Sequence, residues 1–165
     1  MKIEPLSQYK AEQAQEIYRL RQRSYQVEAD LIGLKDFPPL RRSVEEIAAS
    51  PRLFVGCRCA ERLVALAEYS IDQTVLELSS LIVDPDFFRQ GYAGKLMQYL
   101  LDLDTWQEAF VDTAQANAPA IRLYQKYGFQ ETKRWVPQHG IPLIRLSVLR
   151  SSRNHKDAST APSKT

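Results

Sequence analysis

The order of apolar patterns along this chain predicts a mixed α+β fold, and three observations carry the prediction. Helically spaced apolar residues come first, within Lys10–Tyr25. Three apolar-rich runs separated by short turns follow, at Leu53–Cys59, Arg62–Ile71 and Thr74–Val83. After Pro85, helix and strand patterns alternate as far as Leu149. The expected architecture is a central, mostly antiparallel twisted sheet of about six or seven strands flanked by about four helices.

Taken in order, Met1–Leu6 alternates loosely and reads as a short edge strand, with Ser7 as the cap of the helix after it. That helix rests on Ala14, Ile17, Tyr18, Leu20 and Arg21. Leu31–Leu40 contains Gly33 and the pair Pro38-Pro39, so it reads as a loop. Ser43 with Glu46 three residues on forms a capping box for a short helix ending near Ser50. The three apolar runs predict an antiparallel meander. A glycine-containing loop then leads into a helix from Gly94 to Leu101, where Leu96, Tyr99 and Leu100 are helically spaced. Ala109–Thr113 predicts a strand, Pro119–Tyr127 a helix stopped by Gly128, and Phe129–Val136 and Ile141–Leu149 two further strands. Residues 1–150 are expected to form a single domain. Ser151–Thr165, rich in Ser, Lys, Thr and Pro with little to bury, is expected to be disordered.

The bulk properties narrow the function classes. At 165 residues the chain can bury one real core, and 44% hydrophobic with 25% charged residues is ordinary for a soluble globular protein. No apolar run approaches the roughly 20 residues that cross a bilayer. Met1–Lys10 lacks the basic start and apolar core of a secretory signal, so a cytoplasmic location without a membrane partner is expected. The net charge of +2 resides entirely in the tail, where Arg153, Lys156 and Lys164 face Asp157. The body is balanced, so no nucleic-acid partner is expected. Cys57 and Cys59, two apart on a strand, share a face and cannot easily bond to each other; both are expected in the core. With only two distant histidines, His139 and His155, no metal site is expected.

The chemistry concentrates in Leu78-Ser79-Ser80-Leu81-Ile82-Val83-Asp84-Pro85-Asp86-Phe87-Phe88-Arg89-Gln90-Gly91-Tyr92-Ala93-Gly94-Lys95-Leu96. This is a strand, a proline-marked turn, a loop of small residues and a helix start. Helix N-termini offer unpaired backbone N–H groups and the positive end of the helix dipole, so they attract phosphate. Gly91, Ala93 and Gly94 let an anion approach the backbone, and Arg89 and Lys95 add positive charge. A pyrophosphate suits such a loop; the other reading is that the glycines simply make a tight turn. Neither the Gly-x-x-x-x-Gly-Lys-Ser/Thr spacing of a P-loop nor a Gly-x-Gly-x-x-Gly fingerprint is present.

The run Val83-x-Pro85-x-Phe87-x-Arg89-Gln90-Gly91-Tyr92-Ala93-Gly94-Lys95-Leu96 resembles the acetyl-CoA-binding motif of the GNAT superfamily, Arg/Gln-x-x-Gly-x-Gly/Ala at a helix start. A second segment, Asn117-Ala118-Pro119-Ala120-Ile121-Arg122-Leu123-Tyr124-Gln125-Lys126-Tyr127-Gly128-Phe129, resembles that family's Asn-x-x-Ala-x-x-Leu-Tyr-x-Lys-x-Gly-Phe. With the strands around them the two motifs cover roughly Leu53–Leu149. One position departs: Phe88 stands where the first motif has Arg or Gln.

The resemblance implies a GNAT-like N-acetyltransferase with acetyl-CoA as co-substrate and a small-molecule or peptide amine as acceptor. It implies that Leu81, Ile82 and Val83 pair with the pantetheine arm like an added strand. The pyrophosphate would lie on the amides of Arg89, Gln90, Gly91, Tyr92, Ala93 and Gly94, beside Lys95. Asn117 would bond the pantetheine, cap its own helix, or do both. Tyr124 takes the position that protonates the departing thiolate, or else packs as a core aromatic; a phenol of pKa about 10 can serve a thiol near 8.5. Glu77 shares a strand face with Val75, Ser79, Leu81 and Val83, and its distance from Gly91 resembles that of the catalytic glutamate in the histone-acetylating branch. It reads as the base that deprotonates the amine, or as a solvent-facing residue. Glu68 on the preceding strand and an ordered water are the other candidates for the base. Acceptor contacts are implied for Arg21–Leu40 and Trp135–Pro142, including Tyr25, Phe37, Trp135 and His139. The other functional readings are a non-catalytic acyl-CoA-binding module and a nucleic-acid binder using the basic tail. The strand-rich C-terminus allows a homodimer.

Overall fold

The structure, a computed structural model, describes residues 1–151; the segment expected to be disordered, Ser151 apart, lies outside them. Seven strands and four α-helices are present among the described residues, in the mixed α/β order that the sequence predicts. They fall into two compact units, one of Met1–Ser70 with Leu78–Leu103 and one of Ile71–Glu77 with residues from Asp104 onward.

In the first unit β1 (Ile3–Leu6), β2 (Leu53–Cys59), β3 (Arg62–Asp72) and β4 (Val75–Val83) are neighbours in chain order; residues 75–77 of β4 and 71–72 of β3 belong to the second unit. β1 pairs with β2 and β2 with β3, both antiparallel. Along β4 the buried positions are Leu76, Leu78, Ser80 and Ile82, while Val75, Glu77, Leu81 and Val83 are half-buried and Ser79 is exposed. That alternation is the period-2 pattern of a strand with one face in a core.

α1 (Ala11–Ile32) buries Ala14, Ile17, Leu20, Arg21, Tyr25 and Ala29, a stripe at helical spacing. It runs seven residues past Tyr25, where the sequence reading ended it, because nothing in Gln26–Ile32 breaks a helix and Ala29 packs inside. Gly33 stops it in the left-handed conformation, φ 75°, and Leu34 N–H donates to the Ala29 carbonyl. The expected loop thus loses Leu31 and Ile32 to α1 and contains a 3-10 turn at Pro38–Arg41. Ser7 does not cap α1: the cap position is Lys10, with no side-chain bond, and Ser7 N–H is taken by the Gln13 side chain. α2 (Val44–Ala48) is capped as expected, Ser43 Oγ accepting from Glu46 N–H at 3.1 Å. α3 (Tyr92–Leu101) starts two residues before the predicted Gly94 and buries Tyr92, Leu96, Met97, Leu100 and Leu101. Cys57 is buried, but Cys59 is exposed: a bulge between Cys57 and Arg58 resets the alternation that had put both on one face.

In the second unit β7 (Leu143–Leu149) pairs antiparallel with both β5 (Glu108–Ala114) and β6 (Gln130–Trp135). The core of this unit gathers Leu76, Trp106, Ala109, Val111, Phe129, Ile144, Leu146 and Val148. α4 (Ala118–Lys126) ends as expected at Gly128, φ 92°, whose N–H donates to Gln125 O while Phe129 N–H donates to Tyr124 O.

Leu96 is fully buried in the first unit. Leu96→Ala should cost about 2–5 kcal/mol of unfolding free energy in a denaturant titration. A loss below about 1 kcal/mol would contradict this account of the core.

Candidate cofactor-binding site

The first unit carries the loop that the motif singles out. β4 ends at Val83, a 3-10 turn covers Pro85–Phe87, and α3 opens after Gly91. Gly91 is the cap residue of α3 in the left-handed conformation, φ 86°, and having no side chain it leaves the first turn without a side-chain cap. Arg89 also has a positive φ of 59°, a conformation that costs a non-glycine residue about 1–2 kcal/mol. Left-handed residues within a tight turn bring backbone N–H groups together on one side, as anion-binding concavities require. The first turn of α3 contains no acidic side chain, and Arg89 and Lys95 are both exposed beside it. A Cβ at Gly91 would meet nothing within 4 Å, so the glycine answers to the backbone conformation and not to crowding. This donor set fits a phosphate group. Phe88, the departure from the motif, is exposed and contributes no positive charge.

The approach to the loop is fixed by a group that the sequence reading passed over. Asp84 is buried, and its carboxylate receives Arg23 of α1 at 3.0 and 3.1 Å and Arg62 of β3 at 2.5 Å. The same carboxylate caps the 3-10 turn by accepting from Asp86 N–H at 3.0 Å. Asp84 N–H donates to the Val64 carbonyl of β3 at 2.7 Å. Burial alone would raise this carboxyl, but the bonds from Arg23, the Asp86 amide and Arg62 outweigh it and hold the group below the ordinary aspartate value. The available signal was Asp-Pro directly after an apolar strand, since aspartate both starts turns and caps them.

A second buried polar cluster joins α1, β3 and β4 in this unit. The Glu68 carboxylate receives Arg42 at 2.7 and 2.9 Å and lies 3.5 Å from Arg21. Ser80 of β4 accepts from Arg21 at 3.0 Å and from the Tyr25 hydroxyl at 2.8 Å. Burial pushes the Tyr25 hydroxyl above its usual value, so it stays a neutral donor. Glu68 is thus engaged by arginines, which leaves it poorly placed to take a proton from an amine. Tyr25 and Phe37 are buried, with rings edge-on at 6.0 Å.

Of the residues predicted for the site, Leu81, Ile82, Val83, Arg89, Gln90, Gly91, Tyr92, Ala93, Gly94 and Lys95 lie in the first unit, and Glu77, Asn117 and Tyr124 in the second. Glu77 is half-buried and adds to the negative field that raises the Arg145 pKa, behind the dominant hydrogen bond that Arg145 donates to Asp112. Arg145 pairs with Asp112 at 2.8 and 2.9 Å and lies over the rings of Phe110 and Trp135. Asn117 caps α4, its Oδ1 accepting from Ala120 N–H at 3.3 Å. Tyr124 is buried, its ring tilted against Phe129 at 5.9 Å. His139 is exposed and accepts from Ile141 N–H. Among the described residues no helix is long and apolar enough to cross a membrane, and no group of His, Cys, Asp and Glu could hold a metal ion.

The model of the acetyltransferase (GNAT) family matches residues 14–129. This chain belongs to the GNAT family. It is 30% identical over 114 residues to N-alpha-acetyltransferase RimI of Mycobacterium tuberculosis, covering 66% of this chain and 72% of that protein. Identity is 33% over 142 residues with UPF0157 protein YqkA of Bacillus subtilis, covering 86% of this chain but 41% of that one. With the [Ribosomal protein bS18]-alanine N-acetyltransferase of Salmonella typhimurium it is 32% over 99 residues, 56% of this chain and 60% of the relative. The chain thus spans only about half the length of these last two relatives. The crystal structure of the ribosomal-protein-S18-alanine N-acetyltransferase from Escherichia coli shares the GNAT fold at a TM-score of 0.70 and 21% identity, over 90% of this chain and 92% of that one. So does the PaiA N-acetyltransferase from Thermoplasma acidophilum in complex with coenzyme A, at 0.67 and 16%, over 88% and 98%.

Asp84 sets a pH dependence. Its folded-state pKa lies below the unfolded value of about 3.9, so its stabilisation is complete above that value and is lost as pH falls through the folded-state pKa. Asp84→Asn should therefore lower stability at pH 7, with the gap to the native chain narrowing below about pH 4. A gap that stays constant from neutral to strongly acidic pH would contradict the charge-based account.

Proposed function

We propose that this chain is an acetyl-CoA-dependent N-acetyltransferase, built as one acetyltransferase domain over residues 1–150, that acts on a primary amine of a small molecule or peptide by direct attack in a ternary complex. The observation that carries the reading is the α3 start: a glycine-opened helix end without a side-chain cap, flanked by Arg89 and Lys95, in a chain that belongs to the GNAT family. Acetyl-CoA, when bound, supplies the activated thioester.

The chain's own residues would divide the work as follows. Backbone N–H groups from Arg89 to Gly94 hold the diphosphate, with Lys95 adding charge. The strand edge at Leu81, Ile82 and Val83 orients the pantetheine, and Asn117 adds a hydrogen bond to it. Backbone donors polarise the carbonyl. Glu77, or a water, accepts the proton of the attacking amine, and Tyr124 donates one to the sulfur. Because relatives are named for alanine and N-alpha acetylation, a peptide α-amine is the first acceptor to assay. We place the protein in the cytoplasm, with no metal, no nucleic acid and no membrane among its partners; a homodimer is compatible with the reading.

Thiol release from acetyl-CoA should depend on an added amine, across a panel of peptide α-amines, polyamines and aminoglycosides. Tyr124→Phe and Glu77→Gln should each lower kcat by about 10²-fold or more while leaving the Kd of acetyl-CoA within about twofold. Tight acetyl-CoA binding with background thiol release over the whole panel would overturn the enzymatic reading.

A further inference from the structure

The strand that would hold the pantetheine and the loop that would hold the diphosphate meet at a single buried charge. Asp84 is the residue after Val83 and receives Arg23 from α1 and Arg62 from β3. Its amide is bonded to Val64, so the end of β4 is tied to β3. Its Oδ1 and its carbonyl accept from the amides of Asp86 and Phe87, so the 3-10 turn starts at a fixed point. From there the order passes on through side chains. Arg23 also reaches Asp86 at 3.1 Å, and the Arg62 guanidinium lies 5.5 Å from the centre of the Phe87 ring. Phe87 in turn meets Tyr92, the first residue of α3, edge-on at 5.9 Å. Both sides of the segment from Phe88 to Gly91 are therefore anchored by one cluster, while Phe88, Arg89, Gln90 and Gly91 themselves are exposed.

We infer that Asp84, with Arg23 and Arg62, is a positioning residue for coenzyme A: it touches no cofactor atom but holds the backbone amides of residues 89–94 in the geometry that receives the diphosphate. The physical reason is preorganisation. Arg89 and Gly91 occupy left-handed conformations that an unanchored loop would sample only part of the time, and affinity falls by the fraction of time lost. The two arginines serve a second purpose here. They neutralise a carboxylate close in sequence to an anion site, which would otherwise repel the ligand. The inference rests on the acetyl-CoA reading above.

The test is calorimetric titration of the full chain with coenzyme A, beside steady-state kinetics in acetyl-CoA. Asp84→Asn keeps the shape and one capping oxygen but removes the charge. It should weaken coenzyme A binding about tenfold and raise the KM for acetyl-CoA in parallel, with kcat within about twofold. Arg62→Lys, which preserves the charge but loses the planar guanidinium over Phe87, should weaken binding less than Arg62→Ala, which loses both. Arg134→Ala, which breaks an exposed pair with Glu131 far along the chain, should leave Kd unchanged. If Asp84→Asn does not fold, Arg62→Ala and Arg23→Ala, both at half-exposed side chains, decide the matter in the same assay. A folded Asp84→Asn, or both arginine variants, with native Kd would overturn the inference while the acetyl-CoA reading stood. Failure of the native chain to bind coenzyme A would instead sink that reading, and this inference with it.

Discussion

The Asp84 carboxylate, taken out of water and surrounded by two guanidinium groups and a backbone amide, is the constraint from which the proposed binding loop follows. An unpaired buried carboxylate would cost several kcal/mol, so the arginines of α1 and β3 cannot drift away without penalty. With Asp84 in place, β4 must end at Val83, the 3-10 turn must begin at Pro85, and the chain has only Phe88 to Gly91 in which to reach α3. Within that short connection Arg89 and Gly91 take left-handed conformations. At Gly91 the first turn of α3 then has no side-chain cap. On the proposed reading, the anion-receptive character of the loop would be a consequence of how the strand before it is terminated.

The same unit contains a further buried polar group of a different kind. Glu68, Arg21, Arg42, Ser80 and Tyr25 satisfy one another across α1, β3, β4 and the segment after the 3-10 turn at Pro38–Arg41. Such networks add little net stability compared with apolar packing, but their geometry is exacting, and they fix one arrangement of the elements that share them. Here they tie the segment before α2 to the strand whose edge would hold the pantetheine. Arg21 keeps one buried nitrogen, Nε, without a protein partner, so the network is not fully closed within the described residues.

How far the sequence could be read depended on whether the deciding interactions were local. Strand periods, the Ser43 cap and the Gly128 stop depend on neighbours within a few residues, and each was legible. The C-terminal end of α1 was not, because Gln26–Ile32 shows no strong period and is held by the burial of Ala29 and the stop at Gly33. The start of α3 was set two residues late, since Tyr92 becomes helical through packing under Phe87. Cys59 was misplaced because a bulge is a property of a strand pair, invisible along one strand. The same holds for chemistry. The loop from Phe88 to Lys95 announced itself through composition and spacing, whereas the arginines paired with Asp84 lie 22 and 61 positions away and those beside Glu68 lie 26 and 47 away, and no spacing rule reaches that far.

The central claim is that the backbone amides opening α3 receive a diphosphate. Amide NMR of the uniformly labelled chain during titration with coenzyme A reports on those groups directly. The account predicts that the amide signals of Arg89, Gln90, Gly91, Tyr92, Ala93 and Gly94 move together and saturate at one stoichiometric equivalent. It would be contradicted if coenzyme A bound with equal saturation while those six amides kept their positions.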